Sequence, residues 1–224
     1  MESSKPAASV LRATLAGPAG AIEALIEAPL HTPPKAFGVV CHPHPLFGGT
    51  LQNKVVHTLA RSFQELGAPT IRFNFRGVGD SVGSYADGNG EAEDALAVVA
   101  EGERRWPGAA VWLAGFSFGG AVALRAAERA GAKLLVTVAP AVRLIDVSNT
   151  KTPDCPWLIV QGDMDELVEP AAVLEWAAQL RPAPTVKVMP GVGHFFHGRL
   201  RELATLVLDF AHDRGLALES EKPG

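Results

Sequence analysis

A serine flanked by glycines stands where a predicted strand gives way to a predicted helix. The segment reads Gly115-Phe116-Ser117-Phe118-Gly119, a G-x-S-x-G pattern. A serine on such a turn is held above the sheet in a strained conformation, and neighbours without a β-carbon let strand and helix approach closely. The turn also brings the unpaired N–H groups of the helix N-terminus beside the serine oxygen, so the Phe118 N–H can face an oxyanion. Ser117 is therefore the candidate nucleophile; the alternative is a serine that only caps the helix.

A serine hydroxyl is almost fully protonated at neutral pH, so it needs a base in contact with it and a third group that fixes the tautomer of the base. His194 follows the last predicted strand, in a glycine-containing loop that can lie over the end of the sheet. We take it as the base, with His197, nearer the next helix, as second choice. The alternative is a loop histidine with a capping or surface role.

The orienting acid is expected in the loop after the preceding predicted strand, which contains Asp163 and Asp165. Asp165 is the preferred candidate, because an aspartate in the position of Asp163 often hydrogen-bonds the backbone N–H groups of its own turn. Asp146, in the preceding loop, is the third choice.

A second oxyanion donor is expected in the loop His42-Pro43-His44-Pro45-Leu46, which follows another predicted strand. Proline has no N–H to donate, which leaves the backbone N–H of His44, and next that of Leu46. Two histidines two residues apart are a weak metal signal without a nearby carboxylate or cysteine to complete the ligand set. We expect neither a metal nor a cofactor.

Two further groups of residues invite interpretation. The segment Arg76–Ser81 has the glycines of a phosphate-binding turn but neither its lysine nor its spacing, so we interpret it as structural, with Arg76 bridging backbone carbonyls beneath the turn. Several phenylalanines lie near the candidate residues in the sequence, and we expect some in the core and some lining an apolar acyl pocket: Phe47, Phe116, Phe118, Phe195 and Phe196.

The elements that must position these residues alternate between short β-branched runs and longer Ala-, Leu- and Glu-rich stretches, the pattern of a parallel sheet covered by helices. Two early strands joined by a Gly-Pro-Ala-Gly turn predict a hairpin at one sheet edge. The predicted strands are Val10–Leu15, Ala21–Ile26, Phe37–Cys41, Thr70–Phe75, Val111–Gly115, Leu134–Val138, Trp157–Gln161 and Thr185–Met189. The predicted helices are Lys54–Leu66, Glu91–Arg105, Gly119–Ala130, Pro170–Leu180 and Leu200–Asp213.

Length and composition fit a single domain over residues 1–224, with flexible ends at about 1–8 and 217–224. A net charge of −4 gives no basic field for nucleic acid, and no run of eighteen apolar residues predicts a membrane span. Cys41 and Cys155 are expected to be free thiols. We expect a cytoplasmic protein, monomeric or homodimeric, whose partner is a small-molecule ester substrate rather than nucleic acid or a membrane.

Three further stretches, His42–Thr50, Asn53–Val56 and Phe75–Gly79, together with the serine, aspartate and histidine loops, resemble the α/β-hydrolase superfamily. The chain looks closest to small bacterial hydrolases with the pattern His-Pro-His-Pro-Leu-x-Gly-Gly-Thr. The resemblance implies an eight-stranded, mostly parallel sheet with helices on both faces. It also implies the nucleophile after the fifth strand, the acid after the seventh and the histidine after the eighth, the order in which Ser117, Asp165 and His194 occur.

Only Arg143–Pro156 separates the sixth predicted strand from the seventh, where lidded lipases and esterases insert a cap, so no cap domain is expected. An open site suits small soluble acyl esters, and carboxylesterase is the predicted activity, with thioesterase or small-peptide hydrolase as alternatives of the same chemistry. Serine at the turn disfavours dienelactone hydrolases, which use cysteine, and haloalkane dehalogenases and epoxide hydrolases, which use aspartate. The rival of another class is a non-catalytic binding protein on the same fold.

Overall fold

The structure is a computed structural model that describes residues 9–28, 33–145, 147 and 150–216. The predicted flexible ends and the third-choice acid, Asp146, lie outside the described residues. The strands are β1 (Ser9–Gly17), β2 (Gly20–Ala28), β3 (Ala36–Cys41), β4 (Thr70–Phe73), β5 (Ala110–Phe116), β6 (Leu134–Val138), β7 (Trp157–Gly162) and β8 (Thr185–Met189). The helices are α1 (Lys54–Glu65), α2 (Asn89–Arg105), α3 (Phe118–Ala127), α4 (Pro170–Gln179) and α5 (Leu200–Asp213), with a 3-10 turn at Pro45–Phe47.

The strands form one sheet in the order β1-β2-β4-β3-β5-β6-β7-β8. The β1–β2 hairpin lies at one edge and joins β4 in antiparallel register, and every later pair is parallel. The predicted α/β fold with an eight-stranded, mostly parallel sheet is confirmed. The parallel arrangement brings the carboxyl ends of β3, β5, β7 and β8 to one edge, where ligands bind in such sheets.

Side chains of the central strands alternate between two cores because successive residues of a strand point to opposite faces. In β3, Phe37 and Val39 belong to one core and Val40 to the other. Helices α2, α3 and α4 cover the first face, and α1 and α5 cover the second. The helix placement is that expected of a sheet buried on both sides, and it fixes the strand ends that carry the candidate residues.

One strand is shorter than predicted. β4 ends at Phe73, two residues before Phe75: the Asn74 N–H still bonds to β2 in register, but the Phe75 N–H leaves the ladder. The Asn74 N–H donates to Glu23 O at 2.9 Å, and the Phe75 N–H donates to Nε2 of His42 at 3.0 Å. The predicted helix ends differ from the observed ones by up to three residues, as at the end of α3.

The described part of the connection between β6 and β7 carries no cap. Its described residues, 139–145, 147 and 150–156, form turns and extended chain and contain no helix. The predicted absence of a cap domain is confirmed for the part of this connection that the structure describes.

Candidate active site

Ser117 occupies the turn between β5 and α3 and has φ 56° and ψ −118°, outside the regions that residues with a β-carbon normally adopt. Its N–H donates to Val138 O at 2.8 Å, and its carbonyl accepts from Gly120 and Ala141 at 2.9 and 3.1 Å. These bonds to β6, the helix and the following loop hold the backbone in this conformation. Strain of this kind persists only where the surroundings fix it, as at functional sites.

The two glycines of the motif allow contacts that a side chain would prevent. A β-carbon on Gly115 would lie 2.1 Å from Gly119 O, across the strand-to-helix turn. A β-carbon on Gly119 would lie 2.3 Å from His42 O, in the loop after β3. The backbone of the serine turn therefore packs closely against the loop after β3, which is predicted to contribute the second oxyanion donor.

His194 and Asp165 are hydrogen-bonded through their side chains and buried, with 3% and 6% of each residue's surface exposed. Nδ1 of His194 lies 2.8 Å from Oδ2 and 3.0 Å from Oδ1 of Asp165. Oδ1 also accepts the N–H groups of Leu167 and Val168, at 2.9 and 2.7 Å. A carboxylate acceptor places the imidazole proton on Nδ1, which leaves Nε2 with the lone pair that a general base needs.

The pKa of Asp165 is lowered, although burial alone would raise it. Its hydrogen bonds with the His194 ring and with two backbone N–H groups stabilise the charged form and outweigh the cost of burial. Asp165 is thus held as a carboxylate.

Two neighbouring carboxylates fix the loop that carries His194. Oδ1 of Asp163 accepts the N–H of Gly191 at 2.6 Å, and Oε2 of Glu166 accepts the N–H of His194 at 3.1 Å. Asp163 therefore bonds to the histidine loop and not, as expected, to its own turn. The sequence analysis missed Glu166, whose only signal is its place beside the candidate acid.

Gln161, at the end of β7, is a second missed residue. Its Nε2 donates to Oδ2 of Asp165 at 3.1 Å and to the carbonyls of Gly162 and Val168 at 3.2 and 3.3 Å, while its buried Oε1 has no partner in the described structure. The side-chain amide of Gln161 therefore holds the loop that carries Asp165. Its neighbours in sequence give no hint of that contact.

The N–H groups of Phe118 and His44 have no acceptor among the described residues. Phe118 is the first residue of α3, where backbone N–H groups lack a helical partner. The N–H of Leu46, the alternative second donor, donates to Nδ1 of His44 at 3.2 Å. The N–H of His44 is therefore the better candidate for the second oxyanion donor.

Ser117 and His194 line one cavity of about 760 Å³. Among the described residues, no hydrogen bond joins the serine hydroxyl to the ring, a contact that often tightens only when substrate binds. His197, the second choice for the base, is exposed and stacks on Phe195 with 5.8 Å between ring centroids. It does not line the cavity.

The cavity wall is largely apolar and comes mainly from the loops after β3, β6, β7 and β8 and from α4. Of the five phenylalanines singled out, Phe47 and Phe195 line it, and Phe47 is 83% exposed. The other three, Phe116, Phe118 and Phe196, are fully buried. The apolar lining also includes Val142, Leu144, Leu167 and Val173. An apolar substrate group fits such a wall.

One ion pair lies on the cavity wall, between the Arg143 guanidinium and the Glu169 carboxylate. Both side chains are more than half exposed. The pair joins the loop after β6 to the residue that precedes α4.

Arg76 is structural, but its partner differs from the expectation. Its guanidinium and its backbone N–H all donate to the buried carboxylate of Asp94, at 2.7 to 3.0 Å, and not to carbonyls. The carbonyl contact belongs to Arg72, whose Nη1 donates to Leu51 O at 2.8 Å. No group of three or more metal-binding side chains occurs among the residues that the structure describes.

The chain is similar to known hydrolases. A model of the family described as serine aminopeptidase, S33, matches residues 33–153, more than half of the chain. The chain belongs to this hydrolase family. The match includes the serine turn and ends before β7, so it does not include the loops of Asp165 and His194.

Relatives of this α/β hydrolase span nearly its whole length. A solved structure from Xanthomonas campestris, described as an α/β serine hydrolase without lid, is 38% identical, with a TM-score of 0.88 over 96% of this chain and 97% of that one. An α/β serine hydrolase homologue from Coxiella burnetii is 42% identical, with a TM-score of 0.82 over 93% and 99%. An uncharacterized protein of Rickettsia prowazekii is 31% identical over 87% of this chain and 85% of its own.

Proposed function

We propose that this hydrolase cleaves small acyl esters through a triad of Ser117, His194 and Asp165. The observation that carries the proposal is the buried contact of 2.8 Å between Nδ1 of His194 and Oδ2 of Asp165. His194 lines the same cavity as Ser117, whose turn is strained. A nucleophile, a base and an orienting acid are what acyl transfer through serine requires.

In the first half of the reaction, Oγ of Ser117 attacks the ester carbonyl carbon while its proton passes to Nε2 of His194. The carbonyl oxygen becomes an oxyanion, which the N–H groups of Phe118 and His44 stabilise. The oxyanion then reforms the carbonyl as the carbon–oxygen bond to the alcohol breaks, and His194 gives the proton to the leaving alcohol. Asp165 stabilises the imidazolium during this exchange.

In the second half, a water molecule loses a proton to Nε2 of His194 and attacks the acyl-enzyme carbonyl. The second oxyanion collapses, the bond to Oγ breaks, and the proton returns to Ser117 as the carboxylic acid leaves. No cofactor takes part in either half.

The charge on the cavity wall favours esters over peptides with a free amino terminus. An aminopeptidase needs a fixed anion to hold the ammonium group of its substrate. Among the described residues that line the cavity, Glu169 is the only carboxylate, and Arg143 neutralises it. Thioesters share the chemistry of esters and are the next candidates.

The cavity also indicates the size and nature of the acyl group. Its wall is apolar, and no helix roofs it among the described residues between β6 and β7. A volume of about 760 Å³ lies within the usual range of ligand pockets, about 300–1,000 Å³, and accepts a short or medium acyl chain. We therefore expect small soluble substrates that need no interfacial opening step.

The test is hydrolysis of p-nitrophenyl esters and acyl thioesters of increasing chain length, together with aminoacyl p-nitroanilides. We expect ester hydrolysis, weak or no release from the anilides, and a loss of at least about 10⁴-fold in kcat for Ser117→Ala. A wild type that cleaves only the anilides would identify a peptidase. A wild type that cleaves none of them would favour a binding protein on this fold.

The proposal extends to the cellular compartment and the oligomeric state of the enzyme. No helix in the part of the chain that the structure describes has the length and apolarity that a bilayer crossing requires. We propose that the enzyme acts in the cytoplasm, as a monomer or a homodimer.

A further inference from the structure

His42 is fully buried and is the first residue of the loop that contains His44, the proposed second oxyanion donor. Its Nε2 accepts the N–H of Phe75 at 3.0 Å, so this nitrogen carries no proton. Its Nδ1 lies 2.6 Å from Pro43 O and must be the donor in that contact. The two contacts together specify one neutral tautomer.

The carbonyl that His42 contacts and the N–H of His44 belong to the same peptide group. In a trans peptide the C=O and N–H point in opposite directions, so fixing Pro43 O against the buried ring turns the His44 N–H away from that ring. Pro43 and His44 both line the cavity that contains Ser117. By holding Pro43 O, His42 thus determines the direction of the His44 N–H, the proposed donor.

A hydrogen bond to the carbonyl also strengthens the N–H as a donor, because hydrogen bonds in a chain polarise one another, most of all where water is excluded. The carbonyl is enclosed: a β-carbon on Gly49 would lie 2.1 Å from Pro43 O. Burial lowers the pKa of His42 to about 4, although its bond to Pro43 O acts in the opposite direction. The ring therefore stays neutral at neutral pH.

We propose that His42 is a positioning residue for catalysis, which orients and polarises the Pro43–His44 peptide so that the His44 N–H stabilises the oxyanion. The inference rests on the proposed function. A merely structural role would instead lie in the other contact, through which His42 joins the loop after β3 to the backbone after β4.

Two substitutions separate these roles by the length of the side chain. His42→Asn keeps a nitrogen donor bonded to Cγ, as Nδ1 is, but lacks an acceptor that reaches the Phe75 N–H. His42→Gln extends to the position of Nε2 and offers that N–H an oxygen, but it lacks the donor to Pro43 O. Melting temperature reports the structural contact for both variants.

We expect His42→Gln to lower kcat by about 10-fold or more with little change in KM, less than the 10²–10³-fold loss of a whole oxyanion donor. A trifluoromethyl ketone, whose serine adduct carries an oxyanion, should bind more weakly by a similar factor. His42→Asn should keep kcat within about 3-fold of wild type, whatever its melting temperature. Equal losses of kcat in both variants, or losses that follow melting temperature, would overturn the inference.

Two-bond ¹H–¹⁵N correlation of the wild-type imidazole tests the geometry without any substitution. We expect the proton of His42 on Nδ1 at neutral pH, and a proton on Nε2 would overturn the inference alone. A wild type that neither hydrolyses esters nor binds the ketone would instead contradict the proposed function, and the inference with it.

Discussion

Nδ1 of His194 lies 2.8 Å from Oδ2 of Asp165, and both groups are buried. The N–H groups of Leu167 and Val168 fix the carboxylate from the side of its own loop. The acid therefore has one orientation, and it holds the imidazole with Nε2 available to accept a proton. The contact links two loops 29 residues apart in the sequence.

Replacing Asp165 by asparagine should lower kcat by about 10³–10⁴-fold, because an amide turned toward Nδ1 favours the wrong tautomer of His194. The matched control is Asp163→Asn, which alters the contact with Gly191 but not the imidazole, and its kcat should stay within about 10-fold of wild type. Steady-state kinetics on one ester measures both. Similar losses in the two variants would show that the loop, and not the carboxylate at Nδ1, controls activity.

Stability should fall in acid because the pKa of Asp165 is lower in the folded protein than in the unfolded chain. A depressed carboxylate pKa stabilises the fold above the unfolded value of about 3.9, and this contribution disappears as the pH falls through the folded pKa. Chemical denaturation from pH 7 to pH 3 should show a free energy of unfolding that declines at the acid end. The decline should be shallower in Asp165→Asn; an identical decline would mean that other groups cause it.

Filling the cavity from α4 should shorten the preferred acyl chain. Ala172 is buried on the cavity wall, so Ala172→Phe places a ring in the space that we assign to substrate. We expect kcat/KM to drop by about 10-fold or more for the longest esters accepted by the wild type and to change little for acetate. The control is Ala171→Phe, one residue earlier and exposed. A uniform loss across the series in Ala172→Phe would place the acyl chain elsewhere.

Removing the carboxylate of the Arg143–Glu169 ion pair on the cavity wall should change the enzyme's preference for the charge of its substrate. In Glu169→Gln the Arg143 guanidinium loses its partner and can attract an anionic substrate. We expect kcat/KM for a succinate monoester to rise by about 2- to 5-fold, with neutral esters unaffected and the gain reduced in high salt. Glu175→Gln, an exposed change on α4 that does not line the cavity, is the control. A rise for neutral esters as well would contradict the electrostatic explanation.

The sequence predicted the fold because the chain repeats one strong pattern, short buried strands followed by amphipathic helices, and because the resemblance implies an eight-stranded, mostly parallel sheet. It predicted the placement of Ser117 since both glycines of the motif are required by close backbone contacts that a β-carbon would block. Strand ends were less predictable. β4 stops at Phe73 because the Phe75 N–H binds a histidine 33 residues away, which no local pattern reveals.

The residues that support the site loops through hydrogen bonds were not predictable either. Glu166 and His42 act through contacts with backbone that is 28 and 33 residues away in the sequence. Gln161 contacts its own loop, but its residue type suits many surface or core positions and does not reveal the bond to Asp165. Asp163 illustrates the same limit, because its preference for backbone N–H groups was foreseen but its partner, Gly191, lies in another loop. Such contacts depend on how loops meet above the sheet.

The most direct test of the central claim is reaction with a fluorophosphonate, followed by mass spectrometry of the intact protein and of its peptides. We predict one adduct on wild type, located at Ser117, absent from Ser117→Ala and unchanged in Ser84→Ala, whose serine is exposed. Ester hydrolysis that persists in Ser117→Ala, or an adduct on another residue, would contradict the assignment of Ser117 as the nucleophile.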